Sequence, residues 1–192
     1  MRVCGSCNLC CKVVAVVSLK KPAGQWCQHA VLGRGCRIYG AHPDDCKVFK
    51  CGWLETPEIG DEWKPDKCKM VVRAELDGLR LCVDVDPTSP TVWRREPYYS
   101  QIKTWSRGIW QEAGHVVVYV GEKAIAIFPE EDLEVGPVLT GEEMYVGYQA
   151  NAQQRRPVAR VSKSDGTRVE VRGAWVSSDG SGLSFGAGRM TP

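Results

Sequence analysis

The chain has only three histidines, and no cysteine follows Cys82 although ten occur up to that point. Ser, His and Asp fall in no recognised nucleophile motif, so no catalytic set stands out. No glycine-rich turn between a strand and a helix is present to hold a nucleotide-like cofactor. The formal net charge is only +2, so composition makes no case for nucleic acid or an anionic membrane as partner. The apolar run from Val13 to Val17 is far short of the roughly 20 residues that span a bilayer. Cys4 comes after only Met1, Arg2 and Val3, so no secretory leader and no membrane association are expected. A cytoplasmic location follows by default, and there thiols stay reduced.

Against these absences stands the regional wealth of cysteine. Cys4, Cys7, Cys10, Cys11, Cys27, Cys36, Cys46 and Cys51 crowd into the first 51 of the 192 residues. In a reducing compartment such density reads as metal ligation before disulfides. The opening Cys4-x-x-Cys7-x-x-Cys10-Cys11 extends a C-x-x-C turn, which brings two thiolates to one ion. If the strip is extended, Cys10 and Cys11 point in opposite directions. That leaves two metal sites sharing the strip, or one site with a spare thiol. Eight thiolates divide into two four-thiolate zinc sites. Iron and an iron–sulfur cluster are the alternative, although the C-x3-C-P ending of the ferredoxin run is missing after Cys11. His29 and His42 are candidate substitute ligands; His42 precedes Pro43, which also suits a turn. Cys68 and Cys82 read first as buried filler and second as extra ligands.

The expected fold class is α+β. Residues 1–85 form an irregular, metal-stabilised Cys-rich region ending in a hairpin, with MVVRAEL and LRLCVDV joined at Asp77-Gly78. Residues 86–114 hold a helix packed on that region, starting near Pro97 and stopping at Gly114, with Tyr98, Ile102, Trp105 and Ile109 on one stripe. Residues 115–180 are β-rich, as a small antiparallel sheet or partly open barrel, and 181–192 form a flexible tail. Trp93, Trp105 and Trp110 are expected in the core.

The segments CGSCNLCCKV, WCQHA and GCRIYGAHPDDCKVFKCGWL together resemble the CxxCxxCC family of zinc- or iron-chelating proteins (YkgJ-like). The resemblance covers about residues 4–54. It implies a chelating role for Cys4, Cys7, Cys10, Cys11, Cys27, Cys36, Cys46 and Cys51. His42 stands where the family pattern has arginine before the proline, and Ala30 where some members have a further cysteine. Similar clusters in flagellin lysine-N-methylases make methyl transfer an analogy, and likeness of motif alone does not transfer an activity.

The leading expectation is a metal-binding protein with zinc, or iron, in its cysteine cluster and an unidentified protein partner. An iron–sulfur enzyme of redox or methyl-transfer type is the second reading. The third is nucleic-acid binding through Arg155, Arg156, Arg160, Lys163, Arg168 and Arg172 near the C-terminal hairpin. Against it the acidic stretch with Glu130, Glu131 and Asp132 offers a balancing charge, so nucleic acid is not the expected partner.

Overall fold

The structure, a computed structural model, describes residues 2–177, and the tail expected at 181–192 lies outside them. The N-terminal third is built from short pieces: α1 (Cys10–Val13), β1 (Ala30–Val31), β2 (Gly35–Cys36), α2 (Asp44–Lys47), α3 (Gly52–Glu55) and α4 (Pro65–Cys68). None is long enough to be stable alone. Their positions come from packing and from tight turns closed by backbone hydrogen bonds, such as Cys7 N to Cys4 O at 3.1 Å.

A five-stranded sheet follows, made of β3 (Met70–Glu75), β4 (Arg80–Val85), β5 (His115–Val120), β6 (Lys123–Ile127) and β7 (Asp132–Pro137) in that spatial order. β3 and β4 are the expected hairpin, and Asp77 and Gly78 both take positive φ in its turn. β4 and β5 run parallel, and a parallel neighbour needs a long crossover. The crossover contains α5 (Tyr98–Gln111). The sheet thus joins the hairpin expected near the N-terminal region to the β-rich region beginning at His115.

β8 (Glu143–Ala150), β9 (Gln154–Ser162), β10 (Arg168–Arg172) and β11 (Val176–Ser177) form a second, antiparallel sheet. β8 takes one edge of β9, and β10 and β11 pair with different stretches of the other. The arrangement is α+β, as expected, with two larger open sheets, the small β1–β2 ladder and no closed barrel among the described residues. β7 had no clear signal in its sequence, because Asp-Leu-Glu-Val-Gly-Pro is interrupted by Gly and Pro, which are depleted in strands.

Alternation along the strands sorts the core into layers. Val83 and Val85 of β4, Val116 and Val118 of β5, and Ile125 and Ile127 of β6 pack with Ile102 of α5 and the indoles of Trp63 and Trp93. Tyr98, Trp105 and Ile109 complete the helix stripe. On the opposite face Val117, Ala124 and Ala126 meet Met144, Val146, Ala159 and Val161 of the second sheet. Trp110 packs there against Phe128 and Tyr148.

The Cys-rich segment covers the exposed edge strand β3, where unpaired backbone groups otherwise invite aggregation. Val71 is fully buried under Leu9 and Val13. Gly52 of α3 lies so close to β3 that a Cβ there would stand 2.9 Å from the Val72 carbonyl oxygen. The Arg2 guanidinium donates to the carbonyls of Trp53 (2.8 Å) and Thr56 (3.2 Å). It ties the start of the described chain to the segment that carries Cys51.

Candidate metal centre

A cavity of about 540 Å³ opens in the N-terminal segment, and seven of the eight predicted ligands line it: Cys4, Cys7, Cys10, Cys11, Cys27, Cys36 and Cys46. His29 and His42 are on the same wall. The eighth, Cys51, sits outside the lining and packs against the helix-side core. Local turns hold each thiol. The Cys27 N–H donates to the Cys11 carbonyl at 2.9 Å, which draws the WCQH segment onto the opening strip. β1 and β2 pair Ala30 with Cys36. The Asp45 carboxylate accepts from the Ser18 N–H and hydroxyl, both at 3.0 Å, and fixes the turn that presents Cys46.

Cys10 and Cys11 are not in an extended strip; they open the helical turn α1. Successive helical side chains diverge by about 100° rather than 180°, and the two thiols act on one another's ionisation. The protons are unevenly shared. A hydrogen bond from Cys4 lowers the Cys7 thiol to about 6, while Cys4 itself is pushed up. A hydrogen bond from Cys10 lowers Cys11 to about 7, and Cys10 is pushed up. Cys7 and Cys11 thus lean toward the thiolate, and the Cys4 thiol also donates to the Cys7 carbonyl at 3.0 Å. The thiolate is the nucleophile and the metal-binding form.

The charges on these thiols act across the whole cluster. Cys4 feels Cys7, Cys51 and Cys11, Cys11 feels Cys7, and Cys51 feels Cys7. Cys46 feels Cys11, Cys27 and Cys36. Among the described residues no three His, Cys, Asp or Glu side chains converge closely enough to hold one ion as they stand. The donor set nevertheless fits zinc or iron by type, by number and by its shared cavity.

The histidines differ. The His29 backbone nitrogen lies 3.5 Å from the Cys27 sulfur, and His29 lines the cavity, its ring Nε2 3.4 Å from the Gln28 amide. His42 stacks on Tyr39 with ring centroids 5.1 Å apart, and its Nδ1 accepts from the Gly40 N–H at 3.0 Å. That engagement is the turn role which Pro43 suggested. Cys68 and Cys82 are buried away from the cavity. Cys68 donates to the carbonyls of Trp63 and Met70, and burial raises both thiols, Cys68 to about 12.

Two lysines that sequence reasoning passed over stand behind the thiols. Lys21 is buried, and its ammonium donates to the Lys12 carbonyl at 2.8 Å and to that of Val14, at the end of α1. Cys27, Cys11 and Cys10 all act on its charge. Lys12 is buried and pairs with Asp86 at 2.6 Å. Lysine is rarely buried without such partners, yet nothing in the local sequence distinguishes these two from surface lysines.

No protein-family model matches this chain, and no curated protein or solved structure is significantly similar to it. Among the described residues no helix is long and apolar enough to cross a membrane.

Proposed function

We propose that this is a metal-binding protein that holds zinc through its N-terminal cysteines, with iron or an iron–sulfur cluster as the competing occupant. The observation that carries the reading is the gathering of seven thiols around one cavity. The resemblance of residues 4–54 to the CxxCxxCC chelating family points the same way. Eight thiolates suffice for two four-thiolate sites, Cys11, Cys27, Cys36 and Cys46 forming one, since the first three act on the charge of Cys46, and Cys4, Cys7, Cys10 and Cys51 forming the other.

Bound zinc supplies charge neutralisation and a cross-link among turns too short to hold themselves. A closed four-thiolate site leaves no open coordination position, so the role is structural or one of storage and delivery rather than catalysis. Metal binding then stabilises the segment that covers the β3 edge.

Anaerobic purification followed by elemental analysis and an absorption spectrum tests this. About two zinc ions per chain with no visible band is the expected result. Iron with labile sulfide and a broad band near 400 nm replaces zinc by a cluster. A folded protein free of both metals overturns the proposal.

A further inference from the structure

The face of the second sheet turned away from the core carries half-exposed aromatic rings beside arginines. Met144, Val146, Ala159 and Val161 point to the core, so their alternates point away. The register aligns Tyr145 with Arg160 and Glu170, Gly147 with Val158 and Arg172, and Gln149 with Arg156. Two half-exposed rings stand on this face, Tyr145 at 46% and Trp175 at 40%. The Arg160 guanidinium carbon lies 5.7 Å from the Tyr145 ring centre, and that of Arg156 lies 4.6 Å from the Trp175 ring centre. Gly147 lets the tyrosine lie flat, since a Cβ there would stand 2.4 Å from the phenol oxygen.

Charge on this face is mainly positive. Arg156, Arg160, Arg168 and Arg172 are set against Glu143 and Glu170, and Glu170 pairs with Arg160 and Arg172. Glu130 and Glu142 take two of the six basic residues named from the sequence, Arg155 and Lys163, and leave the four on this face. Glu130 pairs with Arg155, Asp132 with Lys103 and Arg94, and Glu142 with Lys163.

We propose that this face docks single-stranded nucleic acid, independently of the metal centre. Exposed aromatic faces on a flat sheet stack on unpaired bases, which a duplex hides, and arginines beside them meet the phosphates. The combination is tolerant of sequence, because every base has a π-face.

Fluorescence anisotropy of labelled oligo-dT and oligo-U, each of about twelve nucleotides, against the metal-loaded full chain tests the proposal. Binding at 50 mM salt is expected, falling roughly twentyfold by 200 mM as about three phosphate contacts require. Tyr145→Ala and Trp175→Ala should each weaken it by at least about fivefold, with unchanged circular dichroism because both rings are surface groups. Glu170→Gln, which frees two arginines, should strengthen it. Absence of binding at 50 mM overturns the proposal. So does a Tyr145→Ala, Trp175→Ala double variant that binds as wild type does, or equal affinity for a duplex of the same length.

Discussion

The Lys12 ammonium lies 2.6 Å from the Asp86 carboxylate, and both groups are buried where the cysteine strip meets the end of β4. Asp86 is completed by the N–H and hydroxyl of Thr88 at 2.9 and 2.8 Å. One salt bridge thus joins the residue beside Cys11 to the sheet.

Removing one partner of a buried pair strands the other charge, at a cost of about 3 kcal/mol or more. Lys12→Met should lower unfolding stability by that order, and Lys12→Met with Asp86→Leu should recover part of it. Urea denaturation of the metal-loaded protein measures both. A single variant as stable as the parent shows that the bridge contributes nothing.

If the eight thiols form two sites, Cys7→Ser and Cys46→Ser should each release about one zinc of two, and the double variant both. Metal content by elemental analysis after dialysis distinguishes this from one shared cluster. In a shared cluster either single variant would empty the protein.

Metal competes with protons for the thiolates. Cys7 near 6 and Cys11 near 7, held low by hydrogen bonds from Cys4 and Cys10, are ionised above those values. Alkylation of the metal-free protein should therefore rise between about pH 5 and 8, with two reactive thiols ahead of the rest. Zinc affinity should rise with pH across the same window. A mass-resolved alkylation profile with all thiols reacting only near pH 9 contradicts this.

Lys21 aims a buried positive charge at a centre that carries net negative charge once four thiolates bind zinc. Lys21→Met should weaken one site about tenfold in a chelator competition, a Coulomb effect at an effective dielectric near 20. Lys21→Arg should largely retain it. Loss of affinity at both sites equally, or in both variants equally, would assign the lysine to holding the end of α1 instead.

His115 accepts from the Arg80 guanidinium at 2.9 Å. Burial first, and then Arg80, lower it to about 4. In the unfolded chain it titrates near 6.5, so between those values the unfolded state binds the extra proton. Stability is full above about pH 6.5 and declines as pH falls toward 4, with a slope of at most about 1.4 kcal/mol per unit. His115→Gln should flatten that part of the stability profile, leaving the carboxylate-driven loss below it.

The hairpin at Asp77-Gly78 and the helix ending before Gly114 were legible because each is a local statement. A turn dipeptide sits between alternating runs, and an apolar stripe has helical spacing. β7 was illegible because Gly136 and Pro137 contradict strand propensity, and only pairing with β6 overrides it. The parallel pairing of β4 with β5 was beyond reach for a related reason. Partners 35 residues apart, such as Arg80 and His115, leave no mark in either segment.

The sequence by itself determined which residues can ligate metal, since thiol density and spacing are chemical facts of the chain. It also determined the hairpin turn at Asp77-Gly78 and the stop of the helix before Gly114. The tertiary structure decided that seven of those thiols share a cavity while Cys51 stands outside it. It also decided that Cys10 and Cys11 meet in a helical turn, that two lysines lie buried behind them, and that Glu130 of the acidic stretch takes Arg155 while Glu170 takes Arg160 and Arg172. Those outcomes depend on burial and on contacts between distant segments, which composition and periodicity do not encode one window at a time.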